Sequence, residues 1–180
     1  MIDRERFPAL SGGALVEANQ AFHNTGSQGF APAPDWELDS TRSGRGMVIA
    51  DFDEDGDLDI VVNNLSAPAQ LFENRLCRED YLEVDLVWPG SLNSHGIGAR
   101  LALTTVGATY QRDVRVTTGY LSGNPTRVHF GFPVGAQLQT LTVRWPDGTL
   151  TTLEKLEHNT FITATHDSSI PSGRPQQNRP

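Results

Sequence analysis

At 180 residues and 37% hydrophobic content, the chain is long enough to bury a real core and too apolar for a disordered protein. A net charge of −8 and an isoelectric point near 5.0 weigh against nucleic acid as a partner. The single Cys77 excludes an internal disulfide and reads as a small, partly buried side chain; no Cys/His spacing suits zinc, and no apolar run reaches membrane-spanning length.

Met1 to Arg6 lacks the apolar stretch of a secretory signal, so the chain as written carries no export route and reads as a fragment. Residues 1–18 show no clear periodicity, and Ser11 to Gly13 form a flexible break. From Asn19 an internal repeat begins: Gln20, Phe22 and Asn24 return as Gln70, Phe72 and Asn74 at an offset of fifty residues, a period that suits one propeller blade. Gly29 to Pro34 is a proline-punctuated loop. Met47 to Ala50 and Ile60 to Val62 are short apolar runs that read as strands of one hairpin, with a third strand around Phe72. Asn64 to Ser66 match a glycosylation sequon, a triplet that arises often by chance.

Asp51 to Asp59 turns that hairpin with six carboxylates in nine residues, which repel one another unless a cation sits among them. Side chains at loop positions one, three and five (Asp51, Asp53, Asp55), a glycine at six (Gly56), a main-chain carbonyl at seven (Asp57) and a carboxylate at nine (Asp59) form an all-oxygen cage suited to Ca²⁺. Mg²⁺ fits less well because it keeps its waters. The loop is not an EF-hand: position twelve is Val62 rather than a bidentate Glu, and the flanks have strand character. The plain alternative is a solvated acidic turn with no ion.

Gly46 to Asn64 resembles the FG-GAP/VCBS repeats of integrin-like β-propellers, whose Asp-rich hairpin loop binds calcium. The resemblance implies Asp51, Asp53, Asp55, Asp57 and Asp59 as ligand positions. Fewer than two blades are present, so the blade is expected to leave open strand edges and either to pack on the following domain or to be a remnant.

From Tyr81 the pattern changes to alternation without acidic loops. Leu82, Val84 and Leu86 share a face; Ala99, Leu101 and Leu103 alternate; Val106 and Gly107 turn and Tyr110 to Val116 returns. Further strands are read at Arg127 to Phe130, at Leu141 to Trp145, and, after the Asp147-Gly148 turn, at Thr149 to Leu153 and Asn159 to Ala164. About seven short strands imply a compact β-sandwich or barrel. Asn93 to Arg100, Thr118 to Ser122, His129 to Gly131 and Val143 to Gly148 together resemble the ASPIC/UnbV domain, which follows FG-GAP repeats in secreted proteins. That resemblance implies an extracellular or cell-surface setting.

No catalytic group is assigned. Ser94 and His95 are adjacent, so their side chains diverge, and no nucleophile elbow is present. His129 reads as a packed ring, while His23, His158 and His166 fall at turns or in the tail without a convincing partner. Gly96-Ile97-Gly98 is too short for a dinucleotide fingerprint. Trp145 is better explained as core, and Tyr120 is the candidate for an exposed contact.

The resulting expectation is an all-β chain. Residues 1–42 are a lead-in with the end of a preceding blade, 43–77 a partial propeller-type blade with the calcium hairpin, 79–166 a β-sandwich or barrel, and 167–180 a disordered tail. Its function is read as a non-enzymatic, calcium-stabilised module binding a protein or glycan partner. The alternatives are an enzyme accessory domain with a metal in the Asp-rich loop, or a structural remnant whose loop stays empty.

Overall fold

The computed structural model describes residues 18–75 and 79–167, so the expectations for the first 17 residues, for Cys77 and for all of the tail but Asp167 lie outside the described residues. Among the described residues the chain forms twelve strands in four sheets and no α-helix. β1 (Phe22–Asn24) and β2 (Phe30–Pro32) make a small ribbon, with Phe22 opposite Pro32. The segment expected to be a loop, Gly29 to Pro34, therefore holds a strand. Proline is tolerated there because a two-stranded ribbon consists only of edges.

β3 (Gly44–Ala50), β4 (Asp59–Asn64) and β5 (Ala67–Phe72) form one antiparallel sheet with β4 in the middle. This is the expected hairpin plus third strand, and Ala50 pairs with Asp59 at the mouth of the acidic loop. Asn64 of the sequon is buried, its Nδ2 donating to the Pro68 carbonyl at 2.9 Å and to Gln70 Oε1 at 3.1 Å, so its amide is already engaged in the sheet.

The second half is a sandwich. One sheet is β11 (Leu150–Glu154), β10 (Leu138–Arg144), β7 (Arg100–Thr105) and β8 (Thr109–Asp113) in that order. The other is β12 (Thr160–Thr165), β6 (Asp80–Val87) and β9 (Val128–Phe132). Alternation decides which faces meet: Leu82, Val84 and Leu86 from β6 bury against Leu101, Leu103, Leu141 and Val143 from the other sheet, with Phe130, Phe132 and Trp145 filling the layer between. Neither sheet closes on itself, so the domain is a sandwich and not a barrel. β12 runs parallel to β6, Thr160 pairing with Leu82 and Thr165 with Val87. Local pattern carries no sign of that pairing.

The blade does not stand alone. The peptide N–H groups of Met47 and Ile49, on the outer edge of β3, donate to Ser122 Oγ at 2.8 Å and to Asn124 Oδ1 at 3.0 Å. Both acceptors lie on the long β8–β9 connection, which leaves the sandwich to reach the blade. The blade thus packs on the domain that follows it, and side chains blunt the edge that β-strand pairing would otherwise expose.

Candidate metal centre

The acidic loop is curled by its own side chains. Asp51 Oδ2 accepts the Gly56 N–H at 2.9 Å, Asp53 Oδ1 that of Asp55 at 3.4 Å, and Asp55 Oδ1 that of Asp57 at 3.1 Å. The turn needs a left-handed residue at Gly56, with φ +97°. Gly56 is also pressed against Tyr81 of β6, where an added Cβ would lie 1.9 Å from the ring, and its carbonyl accepts from His129 Nε2 at 2.9 Å. The loop is therefore seated on the outer face of the β12–β6–β9 sheet of the sandwich. His129 is a packed ring with one nitrogen engaged, lying parallel to Tyr81 at 6.2 Å.

Asp51, Asp53 and Asp59 each bring an oxygen within 4.8 Å of the other two. Oxygens that share one Ca²⁺ at about 2.3–2.6 Å stand at most about 5 Å apart, so three carboxylates at this spacing fit a single ion. Asp59 is 2% exposed and held on both oxygens: Phe52 N–H donates to Oδ2 at 3.2 Å and Asn74 N–H to Oδ1 at 2.8 Å. Asp51 Oδ1 is buried with no hydrogen-bond donor. An orphaned carboxylate oxygen is costly unless a cation meets it. Desolvation, followed by the charge of Asp55 and those of Asp59 and Asp51, holds the Asp53 carboxyl above the usual range. An all-carboxylate donor set of this kind suits a hard cation, and the residues fit one.

Of the remaining expected ligands, Asp55 is exposed and Asp57 half-buried; neither belongs to the close carboxylate trio. Tyr120 is exposed at the tip of the turn that carries Ser122. It lines a groove of about 320 Å³ with Met47, Val62 and Phe72 of the blade.

Beside Asp51, between blade and sandwich, is a cleft of about 280 Å³ whose lining includes Glu83, Asp85, His95, Arg127 and His129. Glu83 is buried, and desolvation lifts its carboxyl above the ordinary range against the pull of Arg127. Arg127 reaches Glu83 at 3.3 Å and Asp85 at 3.5 Å. Sequence reasoning missed this trio. The available signal was that Glu83 and Asp85 alternate with core leucines and valine, which marks them as outward-facing but not as covered.

Two histidines expected to lack partners have them. His158 Nδ1 lies 2.8 Å from Asp80 Oδ2. His166, read as a residue at the edge of the tail, is 5% exposed, stacks on Trp88 at 4.3 Å, and places Nε2 2.9 Å from Thr149 Oγ1 and 3.0 Å from Asp147 Oδ2. Its partners come from the β10–β11 turn, which folds back over the end of β12. Ser94 and His95 are both exposed; beside them Asn93 closes the turn, accepting the Ile97 N–H at 2.8 Å.

Residues 10–62 match the family described as FG-GAP-like repeat, and residues 84–171 the family described as ASPIC and UnbV. No curated protein matched the chain. No helix among the described residues is long and apolar enough to cross a membrane. The order of the two matches follows the order of blade and sandwich, and the chain is an FG-GAP-like repeat followed by an ASPIC/UnbV domain.

Proposed function

We propose that this chain is a non-enzymatic β module in which Ca²⁺ in the Asp51–Asp59 loop stiffens the joint between blade and sandwich, and whose surface binds a protein or glycan outside the cell. The observation that carries the reading is the convergence of Asp51, Asp53 and Asp59 within 4.8 Å beside the donorless Asp51 Oδ1. Asp51, Asp53 and Asp59 would hold the ion, with Asp55 and Asp57 as the further ligands that the repeat family implies. The ion would supply positive charge and crosslinking, not chemistry. Through Gly56, Tyr81 and His129 the same loop touches the sandwich, so ordering the loop orders the interface.

Extracellular modules bind Ca²⁺ with dissociation constants of about 10⁻⁴ to 10⁻³ M. A hundredfold excess of the ion over that constant stabilises the native state by about 2.7 kcal/mol. Thermal melts in chelator and in calcium test this, with Asp53→Ala as the control because Asp53 holds only its own loop. The wild type should gain stability with calcium and the variant should not. Equal midpoints for the wild type in both buffers would refute the proposal.

A second reading, an enzyme accessory site with a metal at the loop, is favoured by the cleft beside Asp51 with Glu83, His95 and Arg127 on its walls. It requires metal-dependent turnover of an ester or phosphate substrate that Glu83→Gln abolishes while leaving calcium stabilisation intact.

A further inference from the structure

On the outer face of the four-stranded sheet, away from the blade, three arginines converge. Arg144 of β10 stands directly opposite Arg100 of β7, and Arg100 directly opposite Asp113 of β8. Arg115 follows on the chain leaving β8. Asp113 divides itself between two of them: Oδ1 accepts Arg100 Nε at 2.8 Å and Oδ2 accepts an Arg115 terminal nitrogen at 2.8 Å. Like charges directly opposite on neighbouring strands are destabilising. One carboxylate among three guanidiniums leaves the patch at about +2, within a chain of net charge −8. The four charged side chains line a groove of about 420 Å³ floored by Gly98, Val114 and Trp145 and bordered by Pro146 and Gly148. That volume falls within the range of small-ligand sites, about 300–1,000 Å³.

We propose that this groove binds the oxyanion of a small acidic ligand, a carboxylate or sulfate group, borne free or on an acidic sugar unit. Guanidinium forks match such groups two bonds at a time. Asp113 holds two of the forks in place, so little side-chain freedom remains to be lost on binding. The Arg144 guanidinium makes no hydrogen bond or ion pair with the described residues and lines the groove. The groove is short and the rest of the chain acidic, which favours one anionic group over a long phosphate polymer. Arg100 and Arg144 come from two of the segments, Asn93 to Arg100 and Val143 to Gly148, that the metal loop leaves unexplained. The site deepens the binding-module reading but does not depend on calcium.

The test is calorimetric titration of the chain, in chelator and again in calcium, with inorganic sulfate, glucuronate and neutral glucose as probes. Saturable binding of sulfate or glucuronate, weakened at least tenfold in Arg144→Gln and only partly in Arg144→Lys, is expected in both buffers. Glucuronate binding tighter than sulfate places the anion on a sugar; equal binding places the recognition in the free group. No saturable binding of either anion, binding unchanged in Arg144→Gln with native melting behaviour, or equal binding of glucose would overturn the proposal. If Arg144→Gln fails to fold, the lysine variant alone decides, since it keeps the charge and loses the fork. Calcium melts report separately on the metal loop, so failure of one reading leaves the other standing.

Discussion

Replacing Gly56 by alanine strikes the contact between loop and sandwich at its tightest point. The residue sits at φ +97°, where an L side chain is strained by about 1–2 kcal/mol. The new methyl would lie 1.9 Å from Tyr81 Cε1, closer than any real Cβ contact, so the ring must leave its place beside His129 or the loop must lift. Overpacking of this kind costs about 1–3 kcal/mol. Together the two terms predict about 2–5 kcal/mol, a large share of the 5–15 kcal/mol typical of a domain. Urea unfolding in chelator measures it without any contribution from the ion. A double-mutant cycle separates the terms: in a Tyr81→Ala background Gly56→Ala should retain the backbone cost but lose the steric one, giving a coupling of about 1–3 kcal/mol. A Gly56→Ala chain whose urea midpoint matches the wild type, or a cycle with no coupling, would refute the argument that the loop is clamped here.

Three further outcomes are expected. Ser122→Ala should remove about 1 kcal/mol, since it takes the acceptor from the Met47 N–H, and should speed amide exchange at Met47 ahead of Ile49, whose acceptor is Asn124. Asp59→Ala should destabilise the chain even in chelator, because two backbone donors lose their acceptor, whereas Asp53→Ala should be nearly silent there; equal losses would show that Asp59 is a ligand and nothing more. The Asp80 carboxyl lies below its usual range because it accepts the Gly135 N–H and the Asn159 amide, with His158 adding to the effect. A depressed native pKa gives stability that is present above the unfolded value of about 3.9 and is lost as pH falls through the native one. Asp80→Asn should therefore flatten the acid limb of urea midpoint against pH, and parallel limbs for variant and wild type would contradict it.

What could be read in advance divides along a physical line. Strands with one buried face show a two-residue period, so β6, β7 and β10 were visible through Leu82 to Leu86, Leu101 to Leu103 and Leu141 to Val143. The acidic hairpin was legible because its carboxylates and Gly56 lie within nine consecutive residues. Pairings between distant segments leave no such trace. The parallel partnership of β12 with β6, the capping of β3 by Ser122 and Asn124, and the wedge of Tyr81 against Gly56 each join residues whose neighbours in sequence say nothing of one another. The histidines fail for the same reason: His166 looks like the start of a polar tail until the Asp147–Thr149 turn and Trp88 enclose it. The ribbon at Phe30–Pro32 was missed because proline signals a break, and that signal is weak on a strand with a free edge.

The side-by-side alignment of β12 with β6 has a consequence for biosynthesis. Asn159 accepts the Tyr81 N–H across 78 positions of chain, so β6, the strand that supports the blade from beneath, is paired only along its β9 edge until β12 has been made. During synthesis the blade emerges first yet has no finished platform to settle on, and its apolar side chains wait in water. Truncation within β12 should therefore do more than remove one strand: it should leave the support of the blade incomplete and the blade prone to aggregate.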